Sequence, residues 1–542
     1  MRGLMQDWPL LVGKILDHAA ETYPRQEIVT MAVEGGIHRY TYADLHLRTR
    51  KLCQALLKLG VKEGDNVGTL AWNTYRHVEA WYGAAGMGGV YHTLNPRLFP
   101  EQLTYIINHA EDKVLLLDLT FVPIVESLID SLGSIEHFII MTDRDHMPDT
   151  NLRNVLCYEE LLDAEDGHYA WADVDENAAC GMCYTSGTTG NPKGVLYSHR
   201  SNFLHSMVVN TKGAMAVDAC ASFLPVVPMF HANAWGIPFA AAAAGAKLVL
   251  NGPCHDAEPL QKYIIDEGVT ATAAVPTIWS GMLSYLQSSG KDLGKLKDVV
   301  IGGSAVPRSM VESFKKDYDI TVVHAWGMTE TNPLGSMSRP TMEVLAMDAE
   351  AQLDMNCKQG RPVPGIEMRI VNDDGEQLPR DGIAFGHLQV RGPWVVKAYF
   401  KDEGGSPLGA DGWFNTGDVA TIDTYGYMQI TDRSKDVIKS GGEWISSIEL
   451  ENAAVGHPDI AEAAVIGVYH PKWEERPLMV TVMQEGKSIS NDEMCAYLEG
   501  KVAKWWMPED TIAVDEIPHT ATGKISKLLL RGQLKDYKLP GV

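Results

Sequence analysis

A segment rich in glycine and threonine, with a short apolar run on either side, constrains this chain most. Residues 184–194 read Tyr-Thr-Ser-Gly-Thr-Thr-Gly-Asn-Pro-Lys-Gly, after the small apolar run 178–183 and before the apolar run 195–197. The pattern predicts a loop between two buried strands. Glycines let backbone N–H groups turn toward a polyphosphate, and the hydroxyls and Lys193 add hydrogen bonds and charge.

An ordinary solvated turn is the alternative for this segment, because Gly, Asn, Pro and Thr are common in turns. A Walker A loop does not fit, since no Gly-Lys-Ser/Thr opens a helix at the required spacing. The Gly-Lys-Ser at 486–488 has Thr481 where the first glycine would stand. If the segment binds phosphate, it uses another geometry.

Length and charge limit the class of protein. A chain of 542 residues predicts a large domain and at least one smaller one. The formal net charge of −24 argues against broad nucleic-acid contact, which requires a basic surface. The eight cysteines are scattered, and Cys180 and Cys183 lie in the predicted strand before the loop, so we expect buried structural thiols and a reducing compartment.

Apolar runs give no sign of a membrane segment or leader. The start of the chain has no apolar stretch of signal-peptide length, and the longest apolar run, 235–246, is too short to cross a bilayer. We expect a cytoplasmic protein without integral membrane contact.

The order of predicted elements indicates an α/β fold. Residues 1 to about 175 alternate strand and helix patterns, and runs 269–277 and 298–307 read as buried strands, the second closing on Gly302 and Gly303. Residues from 360 to about 436 are rich in short strands and turns. The last hundred residues suit a small α+β domain, with capping boxes predicted at Ser446/Glu449 and at Ser490/Glu493, the latter opening a helix toward Trp505.

Four further positions carry groups suited to nucleotide chemistry, although each has an ordinary structural explanation. His231 and Trp235 lie in an apolar run, where a histidine is usually a satisfied core group and a tryptophan usually packs in the core. Thr329-Glu330 follows two glycine loops and can offer a carboxylate to magnesium. Asp418, beside Gly417, can accept two hydroxyls, but a hairpin aspartate is common.

These segments, taken in order, resemble the adenylate-forming superfamily of acyl-CoA synthetases, peptide-synthetase adenylation domains and luciferases. The resemblance covers nearly the whole chain and ends at Lys524 in the run 518–525. It implies a large N-terminal domain, residues 1–431, of layered α/β subdomains plus a β-barrel-like part. A hinge, 432–437, and a small mobile α+β C-terminal domain, 438–542, would follow.

The resemblance also implies a role for particular residues, with ATP, Mg²⁺ and CoA as cofactors. The catalytic residues would be Lys524, Glu330, Thr185 and Lys439, with Thr185 and Glu330 at Mg²⁺. ATP or AMP would contact Thr185, Ser186, Gly187, Thr188, Thr189, Gly190, Lys193, Gly303, Ser304, Ala305, His324, Ala325, Trp326, Gly327, Met328, Thr329, Asp418, Arg433 and Lys524. The acid pocket would comprise His231, Trp235, Gly302, Gly303 and Pro333. The hinge residues would be Asp432 and Lys435, and CoA would contact Lys439, Trp444, Trp473 and Arg476.

The substrates follow partly from the residues and partly from the resemblance. Amino-acid-activating relatives carry an aspartate after the phenylalanine, whereas here His231 follows Phe230, so a substrate ammonium would be left unpaired. Only a short segment follows Lys524, so we expect a diffusible thiol, CoA. The acid pocket candidates are neutral, so the acid should have an uncharged tail.

Within the superfamily, the chain resembles bacterial medium-chain fatty-acyl-CoA and 3-methylmercaptopropionyl-CoA ligases. We favour 3-methylmercaptopropionate, a short thioether acid from dimethylsulfoniopropionate catabolism, because Trp235 could shorten the pocket and pack against sulfur. A medium-chain fatty acid is the alternative. The resemblance further implies a homodimer. A nucleotide-binding protein without turnover is an alternative of another class, although the intact Lys524, Glu330 and Asp418 count against it.

Overall fold

The computed structural model describes residue 1 and residues 3–185, 191–441, 443–520 and 524–540, with only the backbone of residues 443 and 444. The strands are β1 (Glu27–Met31), β2 (Ile37–Thr41), β3 (Asn66–Leu70), β4 (Val90–Thr93), β5 (Val114–Leu117), β6 (His137–Ile140), β7 (Val155–Cys157), β8 (Ala179–Tyr184), β9 (Gly194–Ser198), β10 (Ser222–Pro225), β11 (Lys247–Leu250), β12 (Ala271–Ala274), β13 (Asp298–Gly302), β14 (Thr321–Gly327), β15 (Leu334–Met337), β16 (Arg361–Pro362), β17 (Glu367–Val371), β18 (Phe385–Arg391), β19 (Phe414–Ile422), β20 (Met428–Arg433), β21 (Ile438–Ser440), β22 (Glu443–Ile445), β23 (Ile460–His470), β24 (Glu474–Met483) and β25 (Asp510–Ala513).

Helices alternate with the strands through most of the chain. They are α1 (Val12–Thr22), α2 (Tyr42–Lys58), α3 (Tyr75–Gly86), α4 (Pro100–Ala110), α5 (Val122–Leu128), α6 (Tyr158–Asp163), α7 (His199–Val209), α8 (Ile237–Ala244), α9 (Ala257–Asp266), α10 (Pro276–Ser289), α11 (Arg308–Tyr318), α12 (Met342–Leu345), α13 (Ala349–Cys357), α14 (Ser447–Val455), α15 (Asn491–Leu498) and α16 (Lys527–Gln533).

Two large, mostly parallel sheets carry the first two thirds of the chain. One has seven strands in the order β7-β6-β5-β3-β4-β8-β9, and the other has nine in the order β16-β15-β14-β13-β12-β10-β11-β1-β2. The six central strands of the larger sheet, from β14 to β1, run parallel, and antiparallel strands close its edges. This confirms the predicted α/β class, since buried parallel strands need helices on both faces.

The largest apolar core lies between the two sheets. It joins residues of α1, α2, α3 and α8 with inward-facing side chains of both sheets, such as Tyr91 of β4 and Phe223 of β10. Separate cores cover the outer face of each sheet. The layering fixes the carboxyl ends of strands from both sheets relative to one another.

The glycine- and threonine-rich segment joins the last two strands of the seven-stranded sheet, as predicted. β8 and β9 are antiparallel, and their pairing reaches Tyr184 opposite Gly194 at the mouth of the loop. Cys180 and Cys183 are buried in β8, where Asn202 and Thr93 contact their sulfur atoms, as expected of structural thiols.

The last third of the chain contains two smaller sheets. The β-rich section is an antiparallel sheet in the order β17-β18-β19-β20, and the C-terminal residues form a five-stranded sheet around β24. The capping box at Ser490 and Glu493 is present. At α14, Ser446 accepts from the backbone N–H of Glu449, which is the first half of the box predicted there.

The helix expected to run toward Trp505 is shorter than predicted. α15 ends at Leu498, and Gly500 has a φ of +76°. Glycine takes this left-handed conformation at little cost and so ends a helix easily. Residues 504–506 form a separate 3₁₀ turn.

A partly buried ion network ties α2, α3 and α6 together on the seven-stranded side. Arg48 Nε lies 2.7 Å from Glu79 Oε1, and the same arginine lies 2.9 Å from Glu159. Arg76 contacts Glu159 at 2.8 Å and the hairpin residue Glu34 at 2.6 Å. The Glu79 carboxylate is fully buried and also accepts from the Tyr158 hydroxyl at 2.7 Å.

We predict that Glu79→Ala lowers the free energy of unfolding of the N-terminal part by about 3 kcal/mol or more, because removing one partner leaves Arg48 without its buried counter-charge. Glu258→Ala is the control: its side chain is 72% exposed in a loose pair with Lys291 at 3.7 Å, and such pairs contribute about 1 kcal/mol at most. Chemical denaturation monitored by tryptophan fluorescence measures both. Equal midpoints for the two variants would contradict the prediction.

Candidate active site

A cleft opens where the nine-stranded sheet meets the β17–β20 sheet and the C-terminal residues. It contains about 540 Å³ of empty space, part of which is open solvent. Its lining residues are Gly303, Ser304, Ala305, His324, Ala325, Trp326, Gly327, Gln359, Asp418, Ile430, Arg433, Ile448 and Lys524.

The first part of the cleft lining comes from the carboxyl ends of two neighbouring strands. β13 ends at Gly302 and β14 at Gly327, and parallel strands deliver their ends to the same edge of a sheet. A Cβ on Gly302 would lie 2.7 Å from the carbonyl oxygen of Ala325, and Gly303 has a φ of +87°. Both positions therefore require glycine.

Asp418 is the buried acidic group of the cleft, and two donors hold its carboxylate. Trp326 Nε1 donates to Oδ2 at 3.0 Å, and Arg433 Nε lies 2.9 Å from Oδ1. The residues come from β14, β19 and β20, with Asp418 directly opposite Arg433 in the β19–β20 ladder. A carboxylate has about four acceptor positions, so each oxygen can still accept one hydroxyl.

Lys524 brings the last positive charge to the cleft from the C-terminal residues. Its backbone N–H donates to the Thr520 hydroxyl at 3.2 Å, and its carbonyl accepts from the Thr520 N–H at 2.7 Å. Burial, together with the Arg433 guanidinium, lowers the pKa of Lys524 to about 8, while Asp418 and Glu330 act in the opposite direction. The sequence placed Lys524 and Asp418 in one site, and the structure brings them together.

The described ends of the glycine–threonine loop close on each other. The backbone N–H of Thr185 donates to the carbonyl of Lys193 at 2.9 Å, and the Lys193 N–H donates to the Thr185 hydroxyl at 3.2 Å. Ser186, Gly187, Thr188, Thr189 and Gly190 lie outside the described residues, so their expected phosphate contacts stay predictions. The Lys193 ammonium lies 4.7 Å from the centre of the Tyr399 ring.

Glu330 lies in a 3₁₀ turn directly after β14, within the Thr329–Thr331 segment. Tyr399 donates to Glu330 Oε1 at 3.0 Å. Burial raises the pKa of Glu330, and the bond from Tyr399 and the Arg433 charge oppose that shift. The Thr329 carbonyl accepts from the Tyr197 hydroxyl at 2.8 Å, which ties the turn to β9 beside the loop.

Two histidines near the cleft are held neutral. Burial lowers the pKa of His324 to about 4, and its Nδ1 lies 2.9 Å from the carbonyl oxygen of Cys357. Burial, with a further contribution from the Lys524 charge, lowers the pKa of His231 to about 4. His231 also lines a small cavity with Thr185 and Phe230, which links it to the start of the loop.

The segment after His231 has an unusual backbone. Four consecutive non-glycine residues, 232–235, and then Gly236 have φ between +41° and +75°. Each such L-residue costs about 1–2 kcal/mol. The turn places the Trp235 ring 3.2 Å from the position that a Cβ on Gly302 would occupy, so indole and glycine form one wall.

Other predicted residues occupy less central positions. Pro333 lies on the β14–β15 loop, where its carbonyl accepts from Met328 N–H at 3.0 Å. Its place in the acid pocket stays a prediction. The Asp432 carboxylate accepts from the backbone N–H and the hydroxyl of Ser447, at 2.8 and 2.6 Å. The carbonyl of Lys435 accepts from Arg531 at 3.4 Å.

The residues expected to contact CoA lie together on the C-terminal sheet, apart from the cleft lining. Lys439 is exposed on β21, with its backbone N–H bonded to Glu475 at 3.0 Å, and Trp473 is 40% exposed. Arg476 is buried and donates to Glu509 at 2.7 Å and to the carbonyl of Trp505 at 2.8 Å. The side chain of Trp444 is outside the described residues.

Sequence reasoning missed the partners that orient the site. The Trp326 bond to Asp418 and the Tyr399 bond to Glu330 join residues far apart in the chain, and no local pattern marks them. Gln359, Ile430 and Ile448 also line the cleft without a sequence signal.

The chain matches the family described as AMP-binding enzyme over residues 16–400 and the AMP-binding enzyme C-terminal domain over residues 449–524. It belongs to this family. A 3-methylmercaptopropionyl-CoA ligase of Ruegeria lacuscaerulensis is 49% identical over 538 residues, or 99% of each chain. A medium-chain-fatty-acid–CoA ligase of Ectopseudomonas oleovorans is 47% identical over 539 residues, covering 99% of this chain and 98% of the relative.

A solved structure shares the fold. The anthranilate CoA ligase AuaEII in complex with anthranoyl-AMP aligns with a TM-score of 0.87 over 98% of this chain and 99% of its own, at 24% identity. The protein is therefore an enzyme of the AMP-forming acyl-CoA ligase class, as the resemblance implied. Among the described residues, no helix is long and apolar enough to cross a membrane.

The lowered pKa of Lys524 predicts a pH limb in the first half-reaction. The ammonium is present below pH 8 and lost above it, so kcat/KM for ATP in acid-dependent pyrophosphate release should fall about tenfold per pH unit above a pKa of about 8. Arginine stays charged to beyond pH 12, so Lys524→Arg, at whatever rate it retains, should lack this limb. A limb of unchanged position in Lys524→Arg would assign it to another group.

Proposed function

We propose that this protein joins 3-methylmercaptopropionate to CoA by way of an acyl-adenylate. The observation that carries the proposal is the single cleft that holds the Asp418 carboxylate, the Arg433 guanidinium and the Lys524 ammonium beside two glycine-lined strand ends. A carboxylate that can accept two hydroxyls suits a ribose, and the glycines leave room for a flat base. The two cations suit phosphate and carboxylate groups.

The reaction has two balanced steps. A carboxylate oxygen of the acid attacks the α-phosphorus of ATP, and pyrophosphate leaves with the electrons of the broken P–O bond. The CoA thiol, losing its proton, then attacks the acyl carbon, and AMP leaves. In the first step two anions must approach each other, so positive charge fixed near the α-phosphate lowers the barrier. Lys524, Arg433 and Lys193 supply that charge.

The residues present also fit Mg²⁺ arriving with the nucleotide. The described part of the chain has no group of three or more His, Cys, Asp or Glu side chains arranged for a metal. Mg²⁺ on a nucleotide commonly needs only one or two protein ligands in addition to phosphates. Glu330, held by Tyr399 at the cleft, and the Thr185 hydroxyl would hold it, and the ion would neutralise charge on the leaving pyrophosphate.

A domain rotation would separate the two steps. We propose a large domain of residues 1–431, a hinge at 432–437 and a mobile small domain at 438–542. In the present arrangement Lys524 fills part of the cleft, where an incoming thiol would need space. Turning the small domain would withdraw Lys524 and bring Lys439, an exposed residue of β21, toward the acyl-adenylate, with Trp473 and Arg476 near CoA.

The proposal also specifies which acid is the substrate. Trp235 stands against Gly302, where it shortens the space behind the cleft, and the neutral His231 lies nearby to orient the carboxylate. An indole wall favours a short tail and can contact a thioether sulfur. The Ruegeria lacuscaerulensis relative supports this acid, and the Ectopseudomonas oleovorans relative supports the alternative, a medium-chain fatty acid. The cytoplasmic location, the homodimer and a role in dimethylsulfoniopropionate catabolism stay predictions.

A panel of acids tests the substrate. We predict that kcat/KM for pyrophosphate release with 3-methylmercaptopropionate exceeds that for pentanoate, its sulfur-free analogue of equal length, by about two- to tenfold, as expected for one sulfur–aromatic contact. Octanoate should be poorer still. Trp235→Ala should erase the sulfur preference and favour octanoate over pentanoate. An octanoate optimum in the unchanged enzyme would establish the medium-chain alternative.

Removal of the Lys524 ammonium tests the two-step assignment. We predict that Lys524→Ala slows adenylate formation by about 10²–10³-fold, as loss of one charge stabiliser in a transition state does. Transfer from a supplied acyl-adenylate to CoA should stay within about twofold, because that step does not use the ammonium. Lys535→Ala, which removes an exposed lysine of the same proposed small domain, is the control. Equal loss in both half-reactions would reject a role confined to the first step.

A further inference from the structure

Two side chains of α4 contact both ends of the glycine–threonine loop. His109 Nδ1 lies 2.6 Å from the hydroxyl of Tyr184, the last residue of β8 before the loop. Tyr105, one turn earlier on α4, lies within reach of the side chain of Asn191, which opposes the rise in the pKa of the Tyr105 hydroxyl. Asn191 is the first described residue after position 190. The Tyr105 and His109 rings stack at 5.3 Å, so they form one rigid surface.

Glu403 joins these two side chains from a distant part of the chain. The Tyr105 hydroxyl donates to Glu403 Oε1 at 2.8 Å, and His109 Nε2 lies 3.5 Å from the same oxygen. The Tyr184 hydroxyl thus bonds the Nδ1 side of the His109 ring, and the Nε2 side of the ring faces the Glu403 carboxylate.

The segment 399–405, which carries Glu403, also contacts the other phosphate-side groups. Tyr399 bonds Glu330 and lies beneath the Lys193 ammonium. The Cβ of Phe400 lies 3.0 Å from the position of a Cβ on Gly194. Lys401 and Asp402 have φ of +57° and +54°, a backbone that L-residues adopt only when their surroundings impose it.

The charge of Glu403 is unexpected beside a site for a polyphosphate. Its Oε2 is buried and has no hydrogen-bond partner among the residues that the structure describes. A buried carboxylate oxygen without a partner costs stability, and its negative charge repels a nucleotide. Neither effect benefits folding or ATP attraction, whereas the contact of Oε1 with both Tyr105 and His109 fixes the two aromatic rings.

We propose that Tyr105, His109 and Glu403 form a clamp that holds both ends of the glycine–threonine loop and so positions the phosphates of ATP. The three are positioning residues: His109 acts through Tyr184, Tyr105 acts through Asn191, and Glu403 acts through both aromatic rings. The inference rests on the proposed function for its phosphate ligand. It adds that residues of α4 and of segment 399–405, about 290 positions apart, set the affinity for ATP together.

The test compares variants that remove the contacts with one that keeps them. We expect Glu403→Ala and Tyr105→Phe each to weaken ATP binding about tenfold, the size expected from losing a hydrogen bond to a charged group. Their double variant should be little weaker than either, because both remove one contact. Glu403→Gln keeps an acceptor for Tyr105 and should stay within about twofold of the unchanged protein.

Calorimetry with ATP–Mg²⁺ measures the Kd for ATP in the absence of any acid substrate. Steady-state kinetics then give KM for ATP, KM for CoA and the rate of transfer from the acyl-adenylate to CoA. Thermal unfolding checks that each variant is folded. KM for CoA and the transfer rate should stay within about twofold. Asp402→Asn is the matched control, since it removes a neighbouring exposed carboxylate from the same segment, and it should leave Kd for ATP unchanged.

Three results would overturn the clamp in folded variants: a Kd for ATP that is unchanged or tighter in Glu403→Ala, a Glu403→Gln as weak as Glu403→Ala, or equal losses in adenylation and transfer. A protein that releases no pyrophosphate with any acid would instead overturn the proposed function. The calorimetric comparison would still decide the clamp, so the two failures are distinct.

Discussion

The hydrogen-bonded carboxylate of Asp418 is the interaction on which the site depends. It joins the nine-stranded sheet, through Trp326, to the β17–β20 sheet, through its own strand β19 and through Arg433 of β20. Because the carboxylate is buried, losing Trp326 would leave an oxygen without its donor, and losing Arg433 would leave the charge uncompensated. The two sheets, which share one apolar core, are thereby held in one orientation around the cleft.

The charged side chains of the cleft suit an anionic ligand. Burial, more than repulsion by Arg433, lowers the pKa of Lys524, and the carboxylates of Asp418 and Glu330 compensate only in part. An incoming polyphosphate would raise the pKa of the lysine toward its ordinary value. The chain carries a net charge of −24, so Arg433 and Lys524 supply cations locally within an acidic protein.

The sequence predicted the class of fold and the members of the cleft because those depend on strand order. Gly302, Gly303 and Trp326 lie at strand ends, and neighbouring parallel strands bring their ends together whatever the remaining contacts are. The contacts that orient those residues were not predictable. Tyr399 reaches Glu330, and Tyr105 reaches Glu403, across chain separations that leave no periodic signal.

Backbone conformation was the other feature that the sequence pattern did not predict. Residues 232–235 have a positive φ although none of them is glycine. Tertiary contacts impose this conformation against the local preference of L-residues. The end of α15 was mispredicted because the capping box marks only where the helix begins, whereas Gly500, with a φ of +76°, follows its end at Leu498. Where local and tertiary preferences agree, as in β8 and β9, the prediction held.

Asp432 belongs to both sides of the proposed hinge. Its backbone pairs with Val419 in the β19–β20 ladder, while its carboxylate holds the first residue of α14, Ser447. A rotation of the C-terminal residues about the proposed hinge would break the Asp432–Ser447 hydrogen bonds or the Asp432–Val419 strand pairing. Under that proposal the carboxylate would act as a latch on the present arrangement, and ligand binding or chemistry in the cleft would supply the free energy that releases it.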